Sequence, residues 1–268
     1  VAPTARGFQL KTGIAEYNAS GFTYIYIAIR RGPMRTPTSG TSVFSPYSGS
    51  AATGTKINTN FPIDTQIFTG TTGPLDRNVY DRLRGVSTNN TETGNVLFTN
   101  SQGIESAAFG TRYWDNTGFQ RVSGFTGGGA FWSFRRAPGF FDVVYYTGTG
   151  VNRTVNHNLD AVPELMIIKD TQNNDWQVYA SEIASAEYLV LNRTNAKAIG
   201  TNRWNNTRPT SSVFSLGNAN EVNQGNFAFI AYLFASAPGV SKVGSYTGTG
   251  ATQVVNCGFA AGARFVLI

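Results

Sequence analysis

The chain has 268 residues, enough for one large domain or two of ordinary size, and 41% hydrophobic content allows folded cores. Charged residues make up only 13%, about half the usual share, while Phe, Tyr, Ile and Val are plentiful, which excludes a disordered chain. The net charge of +6 is scattered in pairs such as Arg30-Arg31, so no nucleic-acid partner is expected. Cys257 is the only cysteine, which excludes an intrachain disulfide.

The sequence repeats itself with a period close to 100 residues. The segment YTGTG at Tyr146–Gly150 returns unchanged at Tyr246–Gly250. The segment RRGP at Arg30–Pro33 returns as RRAP at Arg135–Pro138. A fixed period of domain size predicts an array of similar modules, because each repeat is one folding unit.

The first part of the chain, residues 1–38, is predicted to be the C-terminal part of a truncated module. Residues Phe8–Pro33 align with Phe214–Gly239, which close a later module. Within this stretch, the aromatic and branched residues Tyr24–Ile27 predict a β-strand.

Residues 39–140 are predicted to form a module that is a diverged copy of the next one. Three segments match their later counterparts: Tyr47–Ser50 with Tyr146–Thr149, Val79-Tyr80 with Val178-Tyr179, and Tyr113–Thr117 with Arg203–Thr207. The first two matches have a shift of 99 residues and the third a shift of 90, so loops differ in length. A short helical turn is expected at Leu75–Arg84.

Residues 141–240 are predicted to form a complete module. Pro163 precedes a buried strand at Leu165–Lys169, and the polar segment Asp170–Asp175 predicts a hairpin tip. A short helical turn is expected at Ser181–Ala186. The closing run Phe227–Ala235 is apolar on both faces, which predicts a central strand or, alternatively, a strand whose outer face packs on a neighbouring subunit. This run is too short to cross a bilayer as a helix, so no membrane insertion is expected.

Residues 241–268 are predicted to be the N-terminal part of another truncated module. Lys242–Gly250, Val254–Phe259 and Ala263–Ile268 restart the pattern in order, and the sequence then stops where a module is half complete. We therefore expect the chain to be a fragment of a longer protein.

Strand-like runs recur about every ten residues between Gly-rich turns, whereas helical periodicity is scarce. This pattern predicts an all-β fold of tandem β-sandwich modules, jelly-roll-like, each with about 100 residues and around eight strands.

No catalytic or metal-binding set is predicted. His157 is the only histidine, and its internal counterparts are Thr59 and Cys257, so we interpret it as filling space or a turn position rather than as a catalytic base. The Asp170–Asp175 segment loosely resembles a calcium loop but lacks the central Gly and the bidentate Glu. Most carboxylates sit singly, as Asp81 does. We expect neither enzyme activity nor a cofactor.

Two segments have the composition of carbohydrate sites, which combine an aromatic ring face with amide groups. One is Trp204 with Asn205 and Asn206, and the other is Trp176 with Asn173 and Asn174. The alternative interpretation is that the Trp side chains fill the sandwich interior while the Asn residues form turns.

The segments FFDVVYYTGTG, NHNL, VPELMIIK, EYLVLN, PTSSVFSLG, AYLFASAPGVSKVGSYTGTG and NCGF with GARFVLI carry a resemblance to a known family. They resemble tandem domains of tail-fibre and other virion appendage proteins of marine bacteriophages. The resemblance is strong over Phe140–Ile268, fair over Phe8–Pro46 and weak over Ser50–Gly129. There PELMIIK becomes PIDTQIF and YLVLN becomes VLFTN.

The resemblance implies a virion structural protein in a tail fibre or similar extracellular appendage. It would act in adsorption to the host cell surface through multivalent binding, with a host surface glycan as the expected ligand. By analogy, its partners would be other virion proteins and copies of itself, as a homo-oligomer, most commonly a trimer. The alternatives are a structural spacer or a capsid or baseplate component without a receptor site, and a bacterial adhesin or lectin-like module.

Overall fold

The computed structural model describes residues 2–4, 7–10, 18–26, 35–49, 54–70, 76–86, 94–108, 113–120 and 128–268. In these residues antiparallel β-sheet dominates, which confirms the predicted all-β class. Helical structure there is limited to α1 at Asn220–Asn223, the helical residue Asn18 and a 3-10 turn at Gly40–Ser42. A short N-terminal hairpin pairs β1 (Ala2–Thr4) with β2 (Gly7–Gln9).

The first large sheet, called sheet 1, has six strands in the order β3-β11-β5-β6-β7-β8. Its strands are β3 (Phe44–Gly49), β5 (Thr65–Gly70), β6 (Arg77–Asp81), β7 (Gly94–Phe98), β8 (Ser106–Ala108) and β11 (Gly129–Phe134). A small three-stranded sheet of order β4-β10-β9 accompanies it. The small-sheet strands are β4 (Lys56–Asn58), β9 (Tyr113–Trp114) and β10 (Gly118–Gln120).

The second large sheet, called sheet 2, has six strands in the order β12-β19-β14-β15-β16-β17. Its strands are β12 (Phe141–Thr147), β14 (Leu165–Asp170), β15 (Gln177–Ala180), β16 (Glu187–Val190), β17 (Ala198–Ile199) and β19 (Ala228–Phe234). A two-stranded sheet accompanies it, formed by β13 (Arg153–Asn156) and β18 (Val213–Leu216). Residues 141–240 thus hold eight strands.

The two large sheets share one strand order, in which the last strand inserts between the first and the second long strand. Their registers also correspond, because Ile67 pairs with Val79 in sheet 1 and Ile167 pairs with Val178 in sheet 2. The predicted match of Val79-Tyr80 with Val178-Tyr179 therefore holds in the strand pairing. The module boundaries at residues 38, 140 and 240 stay a prediction.

The match at the first strand is shifted from the one the sequence suggests. Tyr47 pairs with Phe131, whereas Tyr146 pairs with Phe229. Phe134, at the end of β11, pairs with Phe44, and Phe234, at the end of β19, pairs with Phe141. Three residues further along each first strand, Tyr47 therefore corresponds to Val144. The predicted match of Tyr47 with Tyr146 therefore does not hold in the strand pairing.

Three hydrophobic cores separate four sheet layers. One core lies between sheet 1 and its small sheet and contains Phe68, Phe119 and Phe131. Another lies between sheet 2 and its small sheet and contains Phe214 and Phe229. The middle core joins the two large sheets face to face, with buried residues such as Phe134 and Phe141 meeting at a ring-centroid distance of 5.4 Å.

This arrangement explains why β19 is apolar on both faces. Phe229, Ala231 and Leu233 point into the core under the small sheet, and Ile230 and Tyr232 point into the middle core. The strand is central in its sheet, as predicted. Its outer face is covered by sheet 1 of the same chain. The alternative prediction had a neighbouring subunit in that place.

Neither predicted helical turn forms in the described residues 76–84 and 181–186, and Leu75, the first residue of the prediction Leu75–Arg84, lies outside the described residues. Residues Arg77–Asp81 form β6, because pairing with β5 and β7 and burial of Asn78–Asp81 override the local preference. Residues Ser181–Ala186 form turns and a bend. The helical turn of this unit is α1, which the sequence analysis missed.

Candidate functional site: the junction between the two sheets

Trp204 lies in a turn after β17 and is fully buried. Its indole Nε1 donates a hydrogen bond to the Glu187 carbonyl oxygen at 3.0 Å, and its ring packs edge-on against Tyr179. The ring is a member of the core between sheet 2 and its small sheet. It therefore presents no face on which a sugar could stack.

Trp176 is also buried, on the opposite face of sheet 2. Its Nε1 donates to the Phe98 carbonyl oxygen of sheet 1 at 2.8 Å, and its ring stacks against Tyr232 at a centroid distance of 6.3 Å. The structure thus places both predicted sugar-stacking rings in the interior, which is the alternative that the sequence left open. They lie in different cores and do not form one site.

The candidate Asn residues serve the loops around these rings. Asn205 and Asn206 are exposed and adopt positive φ angles of 51° and 46°, which Asn tolerates better than most residues. Asn174 donates from Nδ2 to Asp170 Oδ2 at 2.6 Å, while Asn173 is exposed. Two of these residues therefore occupy turn positions with positive φ, and the Asn174 amide holds a buried carboxylate.

His157 is buried beside backbone groups. Its Nε2 lies 3.0 Å from the Thr210 carbonyl oxygen, and its Nδ1 accepts the Leu159 N–H at 3.2 Å. These contacts assign the proton to Nε2, and burial lowers the pKa of the imidazole. The side chain therefore acts as a neutral turn residue, consistent with the sequence interpretation.

A buried charged cluster, which no sequence pattern predicted, lies at the junction of the two large sheets. The Arg84 guanidinium donates from Nε to Asp81 Oδ2 at 2.6 Å, from Nη1 to Glu105 Oε1 at 2.9 Å, and from Nη2 to the Val79 carbonyl oxygen at 2.9 Å. The side chain of Arg84 is 1% exposed. Burial alone would lower the pKa of Arg84, but the charges of Asp81 and Glu105 outweigh this effect and raise the pKa above its usual value.

Sheet 2 contributes Tyr232 to this cluster. Its hydroxyl donates to Asp81 Oδ2 at 2.7 Å, so one carboxylate oxygen receives both the guanidinium of sheet 1 and the phenol of sheet 2. Burial, together with the Asp81 charge, raises the pKa of the Tyr232 phenol well above its usual value. The phenol therefore remains a hydrogen-bond donor at any physiological pH.

A second buried ion pair lies at the end of β14. Lys169 Nζ contacts Asp170 Oδ1 at 2.6 Å and donates to the carbonyl oxygens of Asp170 and Gln172. Both side chains are 0% exposed. Burial lowers the pKa of Lys169, Asp170 opposes this effect, and Arg84 adds to it.

Backbone and surface contacts continue the junction. The Glu105 N–H donates to the Thr171 carbonyl oxygen at 3.0 Å, and Arg193 Nη2 donates to Gln102 Oε1 at 2.9 Å. All these contacts join the two sheets, and the charged groups of the cluster are matched to partners. The ion pairs themselves lie within one sheet each, and the hydrogen bond from Tyr232 to Asp81 joins the cluster to sheet 2. Shifting either sheet would break this hydrogen bond to a buried carboxylate, which costs free energy.

In the sequence, Asp81 and Arg84 are three residues apart, which is compatible with an ion pair but does not indicate that the pair is buried. No group of three or more potential metal ligands occurs among the residues that the structure describes. In the same residues, no helix is long and apolar enough to span a membrane.

The fold and the junction define an all-β protein in which two similar sheets share a hydrophobic and ion-paired interior. Residues 132–268, just over half of the chain, match the family described as "Domain of unknown function (DUF7483)", and the chain belongs to this family. The matched range covers sheet 2, its small sheet and the C-terminal segment. No curated protein and no solved structure matches the chain.

Proposed function

We propose that this chain is a structural segment of an extended virion appendage, such as a bacteriophage tail fibre. It would serve adsorption to the host cell surface by carrying similar modules in series, so that weak contacts add up to avidity. Its location would be the virion surface, and its partners would be other virion proteins and further copies of the chain. The resemblance of Phe140–Ile268 to phage appendage domains supports the viral origin.

The observation that carries the structural role is the middle core with its charged cluster. Independent modules on a flexible linker would have polar outer faces, whereas here the outer faces of sheets 1 and 2 are buried against each other. The hydrogen bond from Tyr232 of sheet 2 to Asp81 of sheet 1 also restricts sliding of one sheet over the other. Two sheets held in a fixed relative position are suited to a segment that keeps its neighbours at a fixed spacing along a fibre.

The spacer alternative, in which this segment has no receptor site of its own, is favoured by one observation. Both Trp rings with a sugar-binding composition are interior, at 1% exposure or less. In this version, host recognition would belong to other parts of the appendage. The lectin-like alternative would have to use the exposed amides of Asn205 and Asn206 without an adjacent ring face.

Viral origin is tested by immunogold electron microscopy of marine virus preparations that contain the gene, with antibodies raised against the 268-residue chain. The proposal predicts gold on tails or other appendages, and pre-absorption of the antibody with the purified chain should remove it. Labelling of bacterial cell surfaces in place of particles would refute the proposal.

Receptor binding is tested separately on a glycan array. The spacer version predicts no glycan bound above background. The lectin-like version predicts binding that is lost when Asn205→Gly and Asn206→Gly are combined. This variant removes both amides while keeping residues that accept positive φ angles.

A further inference from the structure

Lys169 differs from other lysines of the chain in that its side chain is fully buried. Lys56 and Lys197 also contact carboxylates, but their side chains are 45% and 52% exposed, as is usual for this residue type. The side chains of Lys169 and its partner Asp170 are both 0% exposed. Taking a charged amine out of water costs free energy even when it is paired, so this burial calls for an explanation.

The strand architecture does not require this buried pair. By the registers of β14 with β19 and of β5 with β11, the places of Lys169 and Asp170 are taken in sheet 1 by Thr69 and Gly70. Strand β5 therefore forms the same ladder, in the same position of its sheet, without a charge at its end. The pair belongs to sheet 2 alone, which indicates a role beyond holding the strand in place.

A carboxamide lies against the other oxygen of the same carboxylate. Lys169 Nζ is 2.6 Å from Asp170 Oδ1, and Asn174 Nδ2 is 2.6 Å from Asp170 Oδ2. The Asn174 backbone N–H also donates to Asp170 Oδ1, at 3.3 Å, so the lysine amine and the Asn174 backbone share one oxygen. One carboxylate thus holds an amine and a carboxamide beside each other between β14 and β15.

These three side chains are the groups that amide transfer needs: a nucleophile, an electrophilic carbonyl carbon and a proton carrier that contacts both. Burial lowers the pKa of Lys169, although Asp170 opposes this effect, and a lowered pKa favours the neutral amine that can attack. Because all three groups belong to one short hairpin, the fold has already brought the reactants together. Asn174 is half-buried, so a small leaving group has a path to solvent.

We propose that Lys169 and Asn174 form an intramolecular isopeptide bond, with Asp170 as the catalytic base and acid. Asp170 accepts a proton from the Lys169 ammonium, and the lone pair of Nζ then attacks Asn174 Cγ. When the tetrahedral intermediate collapses, the Cγ–Nδ2 bond breaks, its electron pair leaves with the nitrogen, and Asp170 returns the proton to that nitrogen. Nζ gives its second proton to the departing ammonia. One ammonium group and one carboxamide thus become one secondary amide and one ammonium ion, without an oxidant or a co-reactant.

The bond would close a covalent ring over the tip of the hairpin between β14 and β15. Trp176 follows directly after this ring, and its indole Nε1 donates to the Phe98 carbonyl oxygen of sheet 1 at 2.8 Å. The ring would therefore restrict the backbone that presents Trp176 to the junction. Unlike the hydrogen bonds of the junction, it would persist in denaturant.

The bond is detected by mass spectrometry of the purified, folded 268-residue chain. The intact mass should be lower than the mass of the sequence by one ammonia. Trypsin does not cleave after an acylated lysine, so it should release one peptide, residues 154–193, less one ammonia, in place of the two peptides 154–169 and 170–193. An intact mass equal to that of the sequence would overturn the proposal. Loss of ammonia with normal cleavage after Lys169 would overturn it too, because a succinimide at an Asn residue releases ammonia but leaves the lysine free.

Two variants assign the roles. Asn174→Ala removes the electrophile and Asp170→Asn removes the base, so each should show its full sequence mass and normal cleavage after Lys169. Asn173→Ala, at an exposed position of the same hairpin tip, is the matched control and should keep the ammonia loss. Circular dichroism checks that each variant folds; if Asp170→Asn does not fold, the half-buried Asn174→Ala decides. A cross-link that survives Asn174→Ala would contradict the assignment.

Discussion

Replacing Tyr232 by Phe tests whether the charged cluster joins the two sheets. The substitution removes one hydroxyl from a 5% exposed side chain and leaves the ring stacked on Trp176. The lost hydrogen bond is 2.7 Å long, buried and directed at the carboxylate of Asp81. Hydrogen bonds to charged groups contribute about 1.5–3 kcal/mol. The free energy of unfolding should fall by that amount, and Tm by about 3–10 °C.

The assay is urea unfolding of the single and double variants of Tyr232→Phe and Asp81→Asn. Because the two side chains share the contact, their effects should be non-additive, with a coupling free energy of about 1–2 kcal/mol. Tyr146→Phe is the matched control. Its hydroxyl donates to the Val222 carbonyl oxygen at 2.6 Å in another core, so it should show no coupling to Asp81. Additive effects of Tyr232→Phe and Asp81→Asn would refute the contact between the sheets.

Three further predictions concern the rest of the fold. Because burial lowers the pKa of His157, the unfolded state binds more protons than the folded state just below pH 6.5, so stability should decrease as the pH is lowered through that range. His157→Thr should flatten this pH dependence in urea titrations. The hydrogen bond from Lys56 lowers the pKa of Asp115 to about 2. The stabilisation by this ion pair, about 0.2–1 kcal/mol, should be present at pH 5 and lost as the pH falls to 2, and Asp115→Asn should remove that pH dependence. In Gly148→Ala the new Cβ would lie 2.1 Å from a backbone oxygen, so Tm should fall as for a loss of about 1–3 kcal/mol, whereas Gly248→Ala, with open space, should leave Tm unchanged.

The strands and their repetition could be predicted from the sequence, because alternation and internal matches are local signals. Val79 and Val178 were matched at a shift of 99 residues and occupy corresponding ladder positions. By contrast, Arg77–Asp81 was expected to include a helical turn, since five residues without clear alternation do not report the strands that will flank them. Its conformation is set by pairing with β5 and β7.

The junction could not be predicted for a different reason. A strand such as β19, with apolar residues on both faces, has the same sequence whether its outer face meets another sheet of its chain or another subunit. Ionised side chains are rarely fully buried, so nothing in the sequence around Asp81 and Arg84 pointed to an interior cluster. For Trp176 and Trp204, an aromatic ring next to Asn residues is equally compatible with a sugar-binding site and with a buried ring beside a turn. Only the three-dimensional packing distinguishes these two interpretations.

We infer that sheets 1 and 2 fold as one body around their shared interior. It is tested most directly by pulsed hydrogen exchange with mass spectrometry on the unmodified chain across a urea series. Peptides covering β5 and β6 should lose protection at the same urea concentration as peptides covering β14 and β15. Two well-separated midpoints, one for each sheet, would contradict it and show modules that fold independently.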